Sequence, residues 1–155
     1  MAASKERLRA DLATALRAKD EVAKTTIRSL LAAISAEEVA GDEPRDLSDA
    51  EEIKVITREQ RKRRDSAETY AQAGRQELAD QENLEAEFIA AYLPQPLTEE
   101  ELHALVEAEV QALRDAGETP SMKQMGTLVK AVNTRAAGRA DGGTVAALVR
   151  KALTA

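Results

Sequence analysis

The sequence predicts an all-α protein built of two helical bundles, an N-terminal one of four helices and a C-terminal one of three, joined by a proline-containing linker. Three observations support this prediction. Apolar residues recur every three to four positions along most of the 155 residues, which is the period of a helix with one buried face. No stretch shows the strict alternation of a strand. The prolines all fall between the periodic stretches, where a helix breaker is tolerated; they are Pro44, Pro94, Pro96 and Pro120.

Seven helices follow in order, and their ends carry recognisable capping residues. The predicted helices span residues 4–19, 21–40, 49–73, 75–92, 99–116, 122–137 and 142–153, each end good to about three residues. Ser48 with Glu51 and Thr98 with Glu101 have the spacing of a capping box. Other side chains that suit the N-cap position are Asp20, Ser121 and Asp141. The glycines expected to end helices with a positive φ are Gly41, Gly74, Gly117 and Gly138.

Three apolar stripes are expected to form the core of the N-terminal bundle. They consist of Leu8, Leu12 and Leu16; of Ile27, Leu30, Leu31 and Ile34; and of Leu84, Phe88, Ala91 and Tyr92. The third predicted helix departs from this pattern, because it holds no large apolar residue between Ile56 and Tyr70. Either this helix projects beyond its bundle, or an arginine stem packs across its end.

The segment 93–98, "LPQPLT", is the predicted linker, since its two prolines forbid a continuous helix and stiffen the chain. It separates four predicted helices from three. The N-terminal bundle is therefore expected to comprise residues 1–92, and the C-terminal domain residues 99–155.

The composition excludes several classes of function. The chain has no cysteine, which rules out disulfides, zinc–thiolate sites and thiol nucleophiles. A net charge of −6 argues against a general binder of polyanions. The aromatic residues are Phe88, Tyr70 and Tyr92, too few for the base-stacking sheets of many RNA-binding folds. The apolar runs are too short to span a bilayer and the start of the chain lacks a signal core, so we expect no membrane partner and a cytoplasmic location.

Two regions of the sequence concentrate positive charge. Residues 54–64 hold six basic side chains and one acidic one, a net charge of +5. A solvated helix paired with neighbouring glutamates is one explanation, and an anionic partner is the other. Residues 120–155 hold six basic side chains opposed by Asp141 alone, again a net charge of +5. This second region would present a positive face to a strand of nucleic acid.

The stretch "AAGRADGG", residues 136–143, concentrates three glycines. A phosphate-binding loop would need a lysine before its threonine and a buried strand before its first glycine, and both are missing. The stretch is instead predicted to be a tight corner in which the glycine pair allows two helices to approach closely. The N-terminus of the following helix still favours anions, so the corner could meet an isolated phosphate beside Arg139 and Arg135.

Two long stretches resemble the GatB/YqeY family. Residues 121–153, which contain "MGTLVKAVNTRAAGRADGGTVAALV", are similar to the family's C-terminal signature. Residues 63–102, which contain "YLPQPL", resemble the central part of its free-standing YqeY-like members, and the likeness covers nearly the whole chain. It implies two bundles of four and three helices. One departure is Ala137, because many relatives place a lysine directly before the "GR" pair.

The resemblance implies a role connected with tRNA. The C-terminal domain resembles the tail of the B subunit of tRNA-dependent amidotransferases, which convert Glu-tRNA(Gln) or Asp-tRNA(Asn) to the amide with glutamine as nitrogen donor. In those enzymes the tail helps to hold the tRNA while other domains perform the chemistry. The family is accordingly labelled a carbon–nitrogen ligase with glutamine as amido-N-donor. The positions matched for nucleic-acid binding are Lys123, Lys130, Arg135, Gly138 and Arg139, and Arg61 and Arg64 are added from the other basic region.

No catalytic, cofactor-binding or metal-binding residue is predicted. His103 is the single histidine and is expected at the surface of an acidic helix. Amidase chemistry needs an activated nucleophile, its base and an oxyanion site, and the serines lie at caps or inside helices. Glutamates such as Glu99 and Glu100 are expected to form a solvated acidic surface, not a magnesium site.

The preferred hypothesis is a non-catalytic accessory module that binds tRNA or other RNA. An amidotransferase or an aminoacyl-tRNA-related protein is its expected protein partner, and the chain is not expected to be an enzyme on its own. The alternative is a helical protein–protein interaction module that binds no nucleic acid.

Overall fold

In a computed structural model that describes residues 3–155, the chain is helical and no strand occurs within that span. The helices are α1 (Ala3–Ala18), α2 (Glu21–Glu38), α3 (Asp49–Gln72), α4 (Gln76–Ala90), α5 (Glu99–Asp115), α6 (Met125–Ala136) and α7 (Gly142–Thr154). A 3₁₀ turn, Met122–Gln124, leads into α6. The all-α prediction is confirmed. Met1 and Ala2, the first residues of the predicted N-terminal bundle, lie outside the described residues.

The starts of α2, α3, α5 and α7 are those that the capping residues predict. At α3 the Ser48 hydroxyl accepts the Glu51 N–H at 3.2 Å while the Glu51 carboxylate accepts the Ser48 N–H at 2.9 Å. Thr98 and Glu101 make the same reciprocal pair at α5. The other predicted caps, Asp20, Ser121 and Asp141, also accept a backbone N–H. Each box satisfies backbone groups that the first turn of a helix leaves without an intrahelical partner.

The helix ends are predicted less completely. Gly74, Gly117 and Gly138 have positive φ values of 74°, 81° and 80°. The prediction for Gly41 is wrong, because α2 ends at Glu38, its C-cap Val39 has a φ of −108°, and Gly41 is not in the left-handed region. Positive φ values occur instead at Lys19 (56°) and Ala137 (50°).

Contacts within the chain divide it into two compact units, the first ending at Leu93 and the second beginning at Pro94. Leu93 packs against the core of the first unit. Leu97 packs against the core of the second unit. Two residues of the predicted linker 93–98, Leu93 and Leu97, thus contribute to the cores of different units.

The core of the first unit comprises apolar side chains of all four of its helices. Its largest fully buried members are Leu8, Ile27, Leu30, Ile34, Ile56 and Ile89. Three members of the predicted stripes do not belong to it, since Leu16 is 46% exposed, Leu84 is 49% exposed and Ala91 is also exposed. The buried face of α4 is formed instead by Ala79, Ala86 and Ile89.

An arginine continues the buried face of α3 where large apolar residues stop. The Arg63 side chain is 16% exposed, and its Nε donates to Glu85 on α4 at 2.9 Å. The same guanidinium donates to the Ser29 hydroxyl on α2 at 2.7 Å and lies 3.5 Å from the Glu59 carboxylate. The sequence left two explanations for this helix, a projection beyond the bundle or an arginine stem packed across its end. The structure shows the second, with Arg63 as the arginine.

The second unit is a bundle of α5, α6 and α7 around aliphatic side chains. Its buried core consists of Leu102, Val106, Val110, Leu128, Val132, Val145 and Val149. The side chains are short and branched and include no ring. No helix within residues 3–155 is long and apolar enough to cross a membrane.

Expressed separately, residues 1–93 and 94–155 are each expected to fold as helical units, because each contains a complete apolar core. Thermal unfolding followed by circular dichroism tests this expectation. A shorter fragment, 97–155, is the control. It lacks Gln95, whose carbonyl accepts a hydrogen bond from Arg139, so it should be less stable by about 1 kcal/mol. Two fragments without helical signal would show that the cores depend on each other.

Candidate nucleic-acid interface

Arg139, one of the predicted binding residues, holds the start of the second unit in place. Its Nε donates to the Gln95 carbonyl at 2.7 Å, and its own carbonyl accepts the Leu97 N–H at 2.8 Å. These two bonds attach the segment before α5 to the turn between α6 and α7. The Arg139 side chain therefore has a structural task of its own.

At the α6–α7 turn, the N-terminus of α7 is capped by a carboxylate of the chain itself. The Asp141 carboxylate accepts the Thr144 N–H at 3.1 Å at the start of α7. A carboxylate at this position uses the free N–H groups and disfavours a second anion. The glycine pair is not needed for close helix packing as predicted, because a Cβ on Gly142 would meet nothing within 4 Å and one on Gly143 would meet only the Asp141 side chain. Gly138 contributes the left-handed conformation with φ 80°.

Arg135 lies on the flank of α6 that faces α5. Its guanidinium is 3.1 Å from the Glu109 carboxylate, with side chains 49% and 21% exposed. Lys130 is five positions earlier, which places it about 140° away around the helix, on the exposed face. The structure thus separates these two predicted residues onto different faces.

Four exposed cations form what we call the α6–α7 basic patch, and none of them makes an ion pair within residues 3–155. They are Lys123, Lys130, Arg150 and Lys151. The 3₁₀ turn that contains Lys123 contacts α7. Since a short turn joins α6 to α7, the C-terminal half of α7 lies beside the start of α6. Arg150 and Lys151 belong to that half of α7, whereas Lys130 lies midway along α6.

The basic run of α3 is partly neutralised within the first unit. Arg58 pairs with Glu37 at 2.8 Å, Lys62 with Glu59 at 2.9 Å, and Arg63 is packed inside. The predicted binding residues Arg61 and Arg64 are both exposed. The explanation by pairing with neighbouring glutamates thus applies to Arg58, Lys62 and Arg63.

Sequence reasoning counted Arg150 and Lys151 in the charge of the C-terminal region but did not assign them to the site. They directly follow the buried Val149 and so lie about 100° and 200° away from it around the helix. A helical projection of residues 142–154 would therefore have placed both away from the buried face. The resemblance predicts Lys123 and Lys130 as binding residues, and the structure leaves both side chains exposed.

An open depression lies on the acidic side of the second unit. His103 is exposed on α5 and lines an open surface depression of about 650 Å³ together with Glu99, Glu100, Ala104 and Glu107. Within residues 3–155, no three His, Asp or Glu side chains are placed to hold a metal ion. All lining residues of the depression come from one helix.

Comparison with known proteins places the chain among relatives of one kind. A sequence model of the family described as "Yqey-like protein" matches residues 5–153. A protein of Eremothecium gossypii named "Altered inheritance of mitochondria protein 41, mitochondrial" is 39% identical over 89 residues, which cover 56% of this chain and 46% of the relative. A protein of the same name from Lachancea thermotolerans is 34% identical over 105 residues, covering 68% of this chain and 52% of the relative. The chain spans about half the length of the curated relatives it matches.

Proposed function

The chain belongs to the Yqey-like protein family, and from this membership together with its charge distribution we propose that it is a non-catalytic accessory module that binds RNA, with tRNA as its ligand. The single observation that supports this proposal is the α6–α7 basic patch. Four exposed cations of the second unit, without ion-pair partners within residues 3–155, are available for phosphates. Contacts of this kind supply most of the sequence-independent affinity for nucleic acid.

The charge of the second unit is separated between its faces, which favours a directed contact. The acids of the unit concentrate on α5, where Glu99, Glu100 and Glu101 form the first turn. The α6–α7 basic patch contains no acid. A polyanion would therefore be attracted to one face and repelled from another, so that its orientation is fixed although the whole chain has a net charge of −6.

In this proposal the other predicted residues do not form the main binding surface. Arg135 and Arg139 stabilise the second unit through Glu109 and Gln95, and Gly138 shapes the corner between them. Arg61 and Arg64 provide an additional positive surface on the first unit. All of these assignments are tested by the variants described below.

The chemistry is assigned to a partner, an amidotransferase or an aminoacyl-tRNA-related protein that acts on the bound RNA. The chain has no cysteine and contributes binding and orientation. The amido-N-donor ligase label of the wider family would then describe the complex. A cytoplasmic location remains a prediction, and the names of the curated relatives point to mitochondria for those proteins.

A protein-interaction module is the second candidate, because apolar side chains of the first unit face solvent. Val39 is 62% exposed, and Leu78 and Leu84 on α4 are 41% and 49% exposed. Such side chains on a helical surface suit docking to another protein. The two functions are compatible if the first unit binds the partner and the second binds RNA.

Neutralising two cations of the basic patch is expected to weaken tRNA binding about tenfold and to make the log–log salt dependence shallower by roughly 1.8, since each phosphate contact contributes about 0.9. The variant is Lys130→Gln with Arg150→Gln, measured by fluorescence anisotropy with labelled tRNA at several salt concentrations.

Two double variants with the same change in net charge serve as controls. Arg135→Gln with Arg139→Gln should leave the affinity within about twofold, because these side chains are engaged within the unit. Arg61→Gln with Arg64→Gln tests the surface of α3 in the same way. Equal weakening in all three variants would mean that net charge, not the patch, governs binding. If the wild type binds no tRNA even in low salt, the protein-interaction function takes the place of this one.

A further inference from the structure

Resting on the proposed function, we infer that the ligand of the α6–α7 basic patch is double-stranded RNA, held by its sugar–phosphate backbone, and not a single strand whose bases are read. The tRNA ligand would then be bound through a helical stem. The inference rests on what surrounds the cations.

The second unit has no surface on which bases could stack. Residues 94–155 contain no phenylalanine, tyrosine or tryptophan. Their single histidine, His103, lies among glutamates on α5. Proteins that bind single strands combine a basic groove with aromatic side chains, and each stacked base contributes roughly 1–3 kcal/mol. Without that contribution, affinity depends on phosphates alone.

Two of the three rings of the first unit are engaged in its own packing. Tyr92 is 8% exposed and donates its hydroxyl to Asp11 at 2.5 Å. The Arg7 guanidinium lies 4.6 Å from the centroid of the Tyr92 ring, and the Phe88 ring is 5.9 Å away. The third ring, Tyr70, is half-buried on α3. A single ring does not form a platform on which successive bases stack.

Short side chains cover the helix surface between the cations. Thr127, Thr134 and Ala147 are exposed, and a Cβ on Gly126 would meet nothing within 4 Å. The Thr134 hydroxyl donates to the Lys130 carbonyl at 2.9 Å, so it is already satisfied. Such a surface allows a backbone to approach closely but offers few polar groups that could read base edges.

The cations themselves are spaced along rigid helices. Lys123 and Lys130 are seven residues apart, which corresponds to about 10 Å along α6 and the turn before it. Arg150 and Lys151 are fixed on the neighbouring helix. Cations anchored on helices in this way suit phosphates that a duplex holds at constant spacing. A flexible single strand would have to be ordered on the surface, at a cost in conformational entropy.

The test compares a labelled RNA duplex of about 16 base pairs with each of its two separate strands and with a duplex of the same length and scrambled sequence. Binding of the full chain is followed by fluorescence anisotropy over a series of salt concentrations. We expect the two duplexes to bind equally, at least fivefold more tightly than the single strands. The log–log salt slope should not exceed about 3.6, the value for four phosphate contacts, and Lys130→Gln with Arg150→Gln should flatten it.

Single strands that bind as tightly as the duplex through the same two cations would overturn this inference and leave the RNA-binding function intact. A preference between the two duplex sequences would also overturn it, because a backbone contact carries no sequence information. If neither the duplexes nor tRNA bind in low salt, the proposed function itself fails.

Discussion

Replacing Arg63 by methionine is expected to lower the free energy of unfolding of the first unit by about 2–4 kcal/mol, because it leaves buried carboxylates without their cation. Methionine keeps most of the apolar stem of arginine. The decrease in the free energy of unfolding is therefore due mainly to the removed charge and less to lost packing. Glu85 would lose its partner at 2.9 Å, and Glu59 would keep only Lys62. Both carboxylates are less than a fifth exposed. Urea unfolding followed by circular dichroism measures the effect.

Arg58→Met is the matched control for this experiment. It removes an arginine from the same helix and breaks one ion pair, to Glu37, whose side chains are 60% and 39% exposed. Surface pairs of this kind contribute less than about 1 kcal/mol. Equal losses in the two variants would show that the Arg63 cluster behaves as a surface pair, contrary to the burial seen in the structure.

Gly138→Val is expected to destabilise the second unit by about 1–3 kcal/mol, since a β-branched residue does not easily adopt the positive φ of 80° found there. The preceding residue, Ala137, already has a φ of 50°, so the corner contains two consecutive left-handed residues. The melting temperature of the fragment 94–155 reports the loss directly.

Gly126→Val makes the same chemical change where the backbone is helical. Gly126 lies in the first turn of α6 and its Cβ would meet open space, so the stability should change by less than about 0.5 kcal/mol. A comparable loss at both positions would mean that the side chain, not the φ value, causes the effect at Gly138.

The starts of the helices could be predicted from the sequence because they are decided locally. The capping boxes of Ser48 and Thr98 involve residues three positions apart, and a spacing of this size is visible in the sequence itself. The same applies to Asp141 at α7. The number of helices and their order follow from these signals together with the prolines.

The faces of the helices could be predicted only in part, because they depend on distant neighbours. Leu16 and Leu84 continue an apolar period but find no partner helix at their positions, and they stay exposed. Arg63 takes a core position because Glu85 and Ser29, from two other helices, neutralise and bind it. No count along α3 alone contains that information.

In the candidate site, too, the features that depend on neighbouring residues could be predicted, and those that depend on residues distant along the chain could not. The charge of residues 120–155 was evident from composition, but the sequence does not show that Glu109 and Gln95 engage Arg135 and Arg139. Those partners lie more than twenty positions away along the chain. The contact of α7 with the 3₁₀ turn that contains Lys123 is likewise not visible in the sequence.

The distribution of rings has a practical consequence for spectroscopy. The chain has no tryptophan, and Tyr70 and Tyr92 both precede Leu93, so near-ultraviolet absorption and intrinsic emission arise from the first unit alone. Amide circular dichroism, by contrast, sums over both units. Recording the two signals in one unfolding experiment separates the transitions of the units without any label, and coincident curves would indicate that they unfold together.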